Sequence, residues 1–139
     1  MVSRFIQAKQ YAREPIPSDF FMPRERGEEP EPERLELSAF EIDGLSEHAA
    51  WDLGWTHRVQ VGRRLYARAD FHVSAAGELL CDEDEPPERH RVFHGWPAQE
   101  QLQRLFAHDL ADAATYHAHP GGRTGLKAAA QPYPGVEPV

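Results

Sequence analysis

The chain has a single cysteine in 139 residues, Cys81, so no internal disulfide can form and packing alone must hold the fold. No apolar run approaches the ~20 residues needed to span a bilayer. The opening Met1-Val2-Ser3-Arg4-Phe5-Ile6-Gln7 lacks the apolar stretch and small-residue cleavage site of a secretory leader. The sequence thus predicts no membrane association and a cytoplasmic location. Also missing are a Walker loop, G-x-G-x-x-G, G-x-S-x-G and H-E-x-x-H. Their absence removes the commonest nucleotide, hydrolase and zinc-protease frameworks, and no cofactor is expected. No internal repeat is present.

Positive charge is scarce as well. Fifteen Lys and Arg face 23 Asp and Glu, a net charge of −8. The deficit is local. Residues 25–48 hold nine acids against Arg26 and Arg34, a balance of −7, and residues 81–100 hold six against Arg89 and Arg91, a balance of −4. Residues 1–24 sum to +2 and residues 49–80 to +1. A duplex-binding surface gains affinity by releasing phosphate counterions to a net positive protein. This chain opposes that as a whole, so direct nucleic-acid binding is not expected.

What is present suits one domain with one core. Residues 3–13 give an imperfectly alternating strand, ended by Pro15 and Pro17. From Glu25 to Arg34, charge and proline leave little apolar area to offset ordering entropy, which predicts a solvated acidic loop. Leu35, Leu37 and Ala39 alternate against Glu36 and Ser38, a half-buried strand reaching Ile42. Ser46 is placed to cap a helix that carries Glu47 in its first turn, runs to about Val61 and ends at Gly62. Arg64–Val73 shows the longest alternation, with Leu65, Ala67, Ala69, Phe71 and Val73 on one face.

An acidic loop at Cys81–Arg89 and a short strand at Arg91–His94 follow. Pro97 then opens a helix whose apolar stripe is Leu102, Leu105, Phe106, Leu110 and Ala113, and which ends near His117. Pro120-Gly121-Gly122 breaks it. The predicted architecture is α+β: a mainly antiparallel sheet of about four strands with two helices packed on one face. Residues 1–119 form a single domain, with an acidic Pro-rich loop at 25–34, and residues 120–139 a flexible tail.

The second face of the long strand carries Arg64, Tyr66, Arg68, Asp70 and His72. Arginines in such a row can clamp an anion, and Asp70 with His72 or His90 can move a proton. The plainer reading is an ordinary solvated sheet face. Arg58 and Arg63 extend the basic cluster near the first helix's C-terminus, where cations are favourable in any case. His90 and His94 would share a strand face but lie ~13 Å apart, and His117 and His119 fall at a helix end, so no metal site is expected. Cys81 precedes Asp82, Glu83, Asp84 and Glu85, anions that disfavour the reactive thiolate.

Trp51, Trp55 and Val59 recur at i, i+4, i+8, while Ala49, Ala50, Leu53 and Val61 occupy the other side of the same helix. A helix apolar nearly all round is either deeply buried or docks one stripe on a partner, and tryptophan is enriched at such docking sites.

Three stretches stand out together: Arg64-Leu65-Tyr66-Ala67-Arg68-Ala69-Asp70, Pro86-Pro87-Glu88-Arg89-His90 and His94-Gly95-Trp96-Pro97. With the opening Ser3-Arg4-Phe5, they resemble a group of small uncharacterised bacterial proteins, in which glycine is expected where this chain has Ala67. The resemblance spans most of residues 1–117. It implies a bacterial origin, adds weight to Arg64, Arg68, Asp70, His90 and Trp96, and supplies no activity. Read physically, Gly95-Trp96-Pro97 is a strand-to-helix corner: Gly95 turns the chain, Trp96 plugs the sheet edge and Pro97 starts the helix.

Two functions follow as expectations. The first is a non-catalytic protein-interaction module, a subunit or accessory protein of a bacterial assembly or a homo-oligomer. Trp51, Trp55, Val59, Arg64, Tyr66, Arg68 and Trp96 would be its binding residues. The second is a small enzyme or anion-binding domain using Arg64 and Arg68, with Asp70, His72 and His90 as the reacting groups.

Overall fold

In the computed structural model, which describes residues 1–25, 35–121 and 125–134, the strand nearest the N-terminus lies inside the sheet. This strand, β1 (Val2–Ile6), is buried along its whole length because it pairs on both edges. The others are β2 (Arg24–Glu25), β3 (Leu35–Glu41), β4 (Ala67–Phe71), β5 (Leu80–Glu83), β6 (His90–His94) and β7 (Thr115–Ala118). The seven strands run in the order β5-β6-β3-β1-β4-β7, with β2 pairing β3 off this path. Every pairing is antiparallel. The α+β class and antiparallel sheet follow the sequence, but seven strands among the described residues replace the expected four or so.

The helices α1 (Glu47–His57) and α2 (Glu100–Ala113) lie on opposite faces of the sheet, not together on one. Val2, Ile6, Leu37, Ala69, Phe71 and Phe93 cluster with Ala107 and Leu110 of α2. Phe5 and Phe40, which alternation turns the other way, cluster with Trp51 and Trp55 of α1. The expectation of one covered face failed because charge on the second face was read as solvated. Ser3, Arg68 and Asp70 on that face are all buried beneath α1.

Local signals account for where α1 begins. Ser46 is extended and its hydroxyl accepts from the Ala49 N–H at 3.1 Å, capping the helix as expected. The helix closes earlier than the sequence suggested, with the Arg58 and Val59 N–H groups both donating to the Gly54 carbonyl at 2.9 Å. α2 starts at Glu100 rather than Pro97, and the Gln103 side chain reaches back to the Pro97 carbonyl at 2.9 Å. Its buried residues are Gln103, Ala107 and Leu110, so Leu102 and Leu105 of the predicted stripe face solvent.

Long-range pairing explains the other departures. β5 forms within the expected acidic loop because β6 supplies both a ladder and cations. Asp82 bonds His94, and Arg91 approaches Glu85 at 3.2 Å and Glu83 at 3.8 Å. β7 forms where the second helix was expected to continue, since Thr115–Ala118 completes the open edge of β4. β4 itself spans five residues, not ten: Leu65 packs on the α1 side and Tyr66 on the α2 side, a slip in alternation just before Ala67. Gly95, at φ +80°, makes the expected corner, and Trp96 is buried with its indole N–H on the Phe93 carbonyl at 2.9 Å.

Of the tail predicted flexible at 120–139, residues 125–134 lie across α1. Trp55 donates to the Gln131 carbonyl at 3.0 Å, Lys127 bonds the Trp55 carbonyl, and Tyr133 is buried. The acidic loop predicted at 25–34 falls, beyond Glu25, outside the described residues, as do the tail's 122–124 and 135–139.

α1 sits so close to β1 that a Cβ built on Gly54 would stand 2.3 Å from the Phe5 ring. Gly54→Ala should therefore destabilise the protein by roughly 1–3 kcal/mol through overpacking, although alanine is the better helix former by ~1 kcal/mol. Urea unfolding of the variant measures the sign; a stabilised variant would contradict the packing described.

Candidate functional site

Arg68 and Asp70 lie on the α1-facing side of β4, where antiparallel pairing sets Phe5 and Ser3 of β1 opposite them. Arg68, 2% exposed, donates Nε to both carboxylate oxygens of Asp70 at 3.2 Å and Nη2 to Glu47 at 2.9 Å. Its guanidinium lies 4.6 Å from the centre of a Trp51 ring, a cation–π contact. The hydrogen bond and charge of Arg68 hold the Glu47 carboxyl below its ordinary range against a smaller opposing effect of burial. His117 of β7 stands opposite Arg68, with Nε2 3.4 Å from Asp70. Sequence reasoning did not join His117 to this group, because only the β4–β7 pairing brings it there.

The remaining predicted residues do not converge on Asp70. His72 is exposed beyond the end of β4. His90 belongs to β6, three strands from Asp70 and so roughly 14 Å away. Its Nδ1 instead meets the Asp84 carbonyl at 3.0 Å and carboxylate at 3.2 Å. Arg64 and Tyr66 are half-buried and precede the strand. Trp51, Trp55 and Val59 are buried within the chain, Trp51 edge-on to His119 and Trp55 to Tyr133. Among the described residues, no three His, Cys, Asp or Glu side chains gather as a metal site would require. No helix among them is long and apolar enough to cross a membrane. Burial pushes the Cys81 thiol up, away from the reactive thiolate.

A second constellation forms where the chain leaves β1 and α1. A cavity of about 350 Å³ is lined by Arg4, Arg24, Arg58 and Arg63, with Gln7, Gln60, Tyr11 and Phe20 in its walls. The Gln7 amide ties two walls together, donating to the Arg58 carbonyl at 3.2 Å and accepting from the Gln60 N–H at 2.8 Å. Arg4 is 9% exposed; it donates Nη1 to the Ser38 carbonyl at 2.8 Å where the β1–β3 ladder ends, and lies 4.5 Å over the Phe20 ring. Its Nε is buried without a hydrogen-bond partner.

No carboxylate is among the described residues lining this cavity. Burial, then the charges of Arg58 and Arg24, push the Arg4 guanidinium down to about 9, still cationic at neutral pH. Arg58 is lowered too, by burial first and Arg24 second. Arg4 and Arg58 are thus partly dry cations that repel each other, while Arg24 and Arg63 are exposed. A larger cleft of about 630 Å³ beside α2 has Glu14 and Asp112 in its wall and no cation among the described residues lining it. Sequence reasoning marked Arg58 and Arg63 as basic neighbours but missed Arg4 and Arg24, which only tertiary folding brings to them.

Comparison with protein-family models, with curated proteins and with solved structures finds no match to the chain.

Arg68→Ala strands Asp70, 7% exposed, beside no arginine, and should cost about 3–5 kcal/mol. Replacing both partners, Arg68→Met with Asp70→Leu, should cost less than that single change, as a urea series on both variants would reveal. Glu47 gives a pH test. Its folded value lies below the ordinary 4.5, so its contribution is complete above 4.5 and disappears as pH falls through the folded value. Between pH 5 and 2.5, Glu47→Gln should therefore lose stability less steeply than the parent.

Proposed function

We propose that this chain is a binding domain for a small anionic ligand, held in the arginine-lined cavity. One observation carries the reading: four arginines share a cavity of about 350 Å³ with no carboxylate among its described lining residues, and one of them is buried with an unpartnered donor. An uncompensated group of cations costs folding energy by mutual repulsion and desolvation. A bound anion removes that cost and accepts charge-assisted hydrogen bonds from the same groups.

The cavity's volume lies at the lower end of the range typical of small-molecule sites. Asp70 and His117 line neither cleft, so the reading includes no acid–base turnover. The interaction-module reading has less to support it, because Trp51, Trp55 and Val59 are covered by the chain itself.

A ligand that binds only the folded state stabilises it by RT ln(1 + [L]/Kd), about 2.7 kcal/mol at a hundredfold excess over Kd. Sulfate or phosphate should raise the melting temperature beyond sodium chloride of equal ionic strength, and Arg58→Gln should shrink the difference. Equal melting curves in all three salts would dismiss the proposal.

A further inference from the structure

Resting on the anion-binding reading, we infer that the ligand class is a phosphomonoester, bound as its dianion, with its organic part against Tyr11 and Phe20. Charge argues for more than one negative unit. A lone carboxylate offers a single flat fork that matches one guanidinium. Here four guanidiniums come from four separate places: Arg4 from β1, Arg24 from β2, Arg58 from the end of α1 and Arg63 beyond it. Donors approaching from several sides suit a tetrahedral group whose three oxygens accept in different directions.

The buried donor points the same way. Arg4 already gives Nη1 to the Ser38 carbonyl and its Nε is buried without a partner, so this cation of the cavity wall is not satisfied by the described residues around it. Size argues for an ester rather than the free ion, since about 350 Å³ exceeds what one phosphate fills. The rest of the wall is partly apolar: Tyr11 and Phe20 stand ring to ring at 5.5 Å, and the Arg4 guanidinium lies against Phe20. A planar or apolar substituent would contact these rings while the phosphate meets the arginines. A nucleic acid is the less fitting polyanion, because the net charge of −8 repels an extended backbone that reaches past the cavity.

Calorimetric titration of the full chain with phenyl phosphate, inorganic phosphate, benzoate, citrate and a twelve-residue oligothymidylate separates the outcomes. Phenyl phosphate should bind at least tenfold more tightly than benzoate and more tightly than inorganic phosphate. Its affinity should fall roughly tenfold from pH 7.5 to 5, as the second phosphate proton, with pKa near 6, returns while the arginines stay charged. Arg63→Gln and Arg58→Gln, outside the β1–β3 seam, should each weaken it about tenfold or more, so the test survives if Arg4→Gln fails to fold. Tighter binding of citrate or of the oligonucleotide, or an affinity unchanged across that pH range, overturns the phosphomonoester while leaving an anion site standing. No binding by any of the five removes both.

Discussion

Beneath α1 a guanidinium is closed off from water, and its contacts are what allow the second face of the sheet to be covered at all. Burying an unpaired charge costs several kcal/mol. Arg68 avoids this with two bonds to Asp70, one to Glu47 and the face of Trp51. Two of those partners belong to the first turns of α1, so the same contacts that satisfy the charge also hold the helix over β1 and β4. The close approach of Gly54 to Phe5 and the burial of Trp55 depend on that placement. So does the position of Arg58, which leaves the end of α1 to form a wall of the cationic cavity.

The chain therefore buries two arginines in opposite circumstances. Arg68 has two carboxylates in reach, and replacing the whole group by apolar residues would leave a plausible core. Arg4 has a carbonyl and an aromatic ring, and burial first, then the charges of Arg58 and Arg24, depress its pKa. The second arginine has a carbonyl and an aromatic face to meet but, among the contacts described, no carboxylate. On the proposed anion-binding reading, that difference separates a charge kept for architecture from one that would meet a ligand.

The features legible in the sequence were the local ones. Ser46 as a cap, the alternation of Leu35–Glu41 and the corner at Gly95 each depend on neighbours within a few residues, and each stands where the residues placed it. Partners distant in sequence decided the rest. Cys81–Glu83 reads as part of an acidic loop until β6 brings Arg91 and His94 alongside, and Thr115–His117 reads as the end of a helix until β4 offers an edge. The charged face of β4 looked solvated because pairing with Glu47 cannot be seen from spacing. Likewise Arg4 and Arg24 stand 20 residues apart, 34 or more from Arg58, and share no pattern before the chain folds.

The position of β1 has a kinetic side. Its two neighbours are β3 and β4, so this strand, made before either of them, cannot complete its ladders until residues as far along as Phe71 have left the ribosome. Until then β1 has only β3 to pair with, and the nascent chain carries a half-paired apolar segment, Val2, Phe5 and Ile6 among it, that other chains could capture. Closing such distant contacts costs loop entropy before the ladders repay it, which slows folding relative to a chain of local contacts.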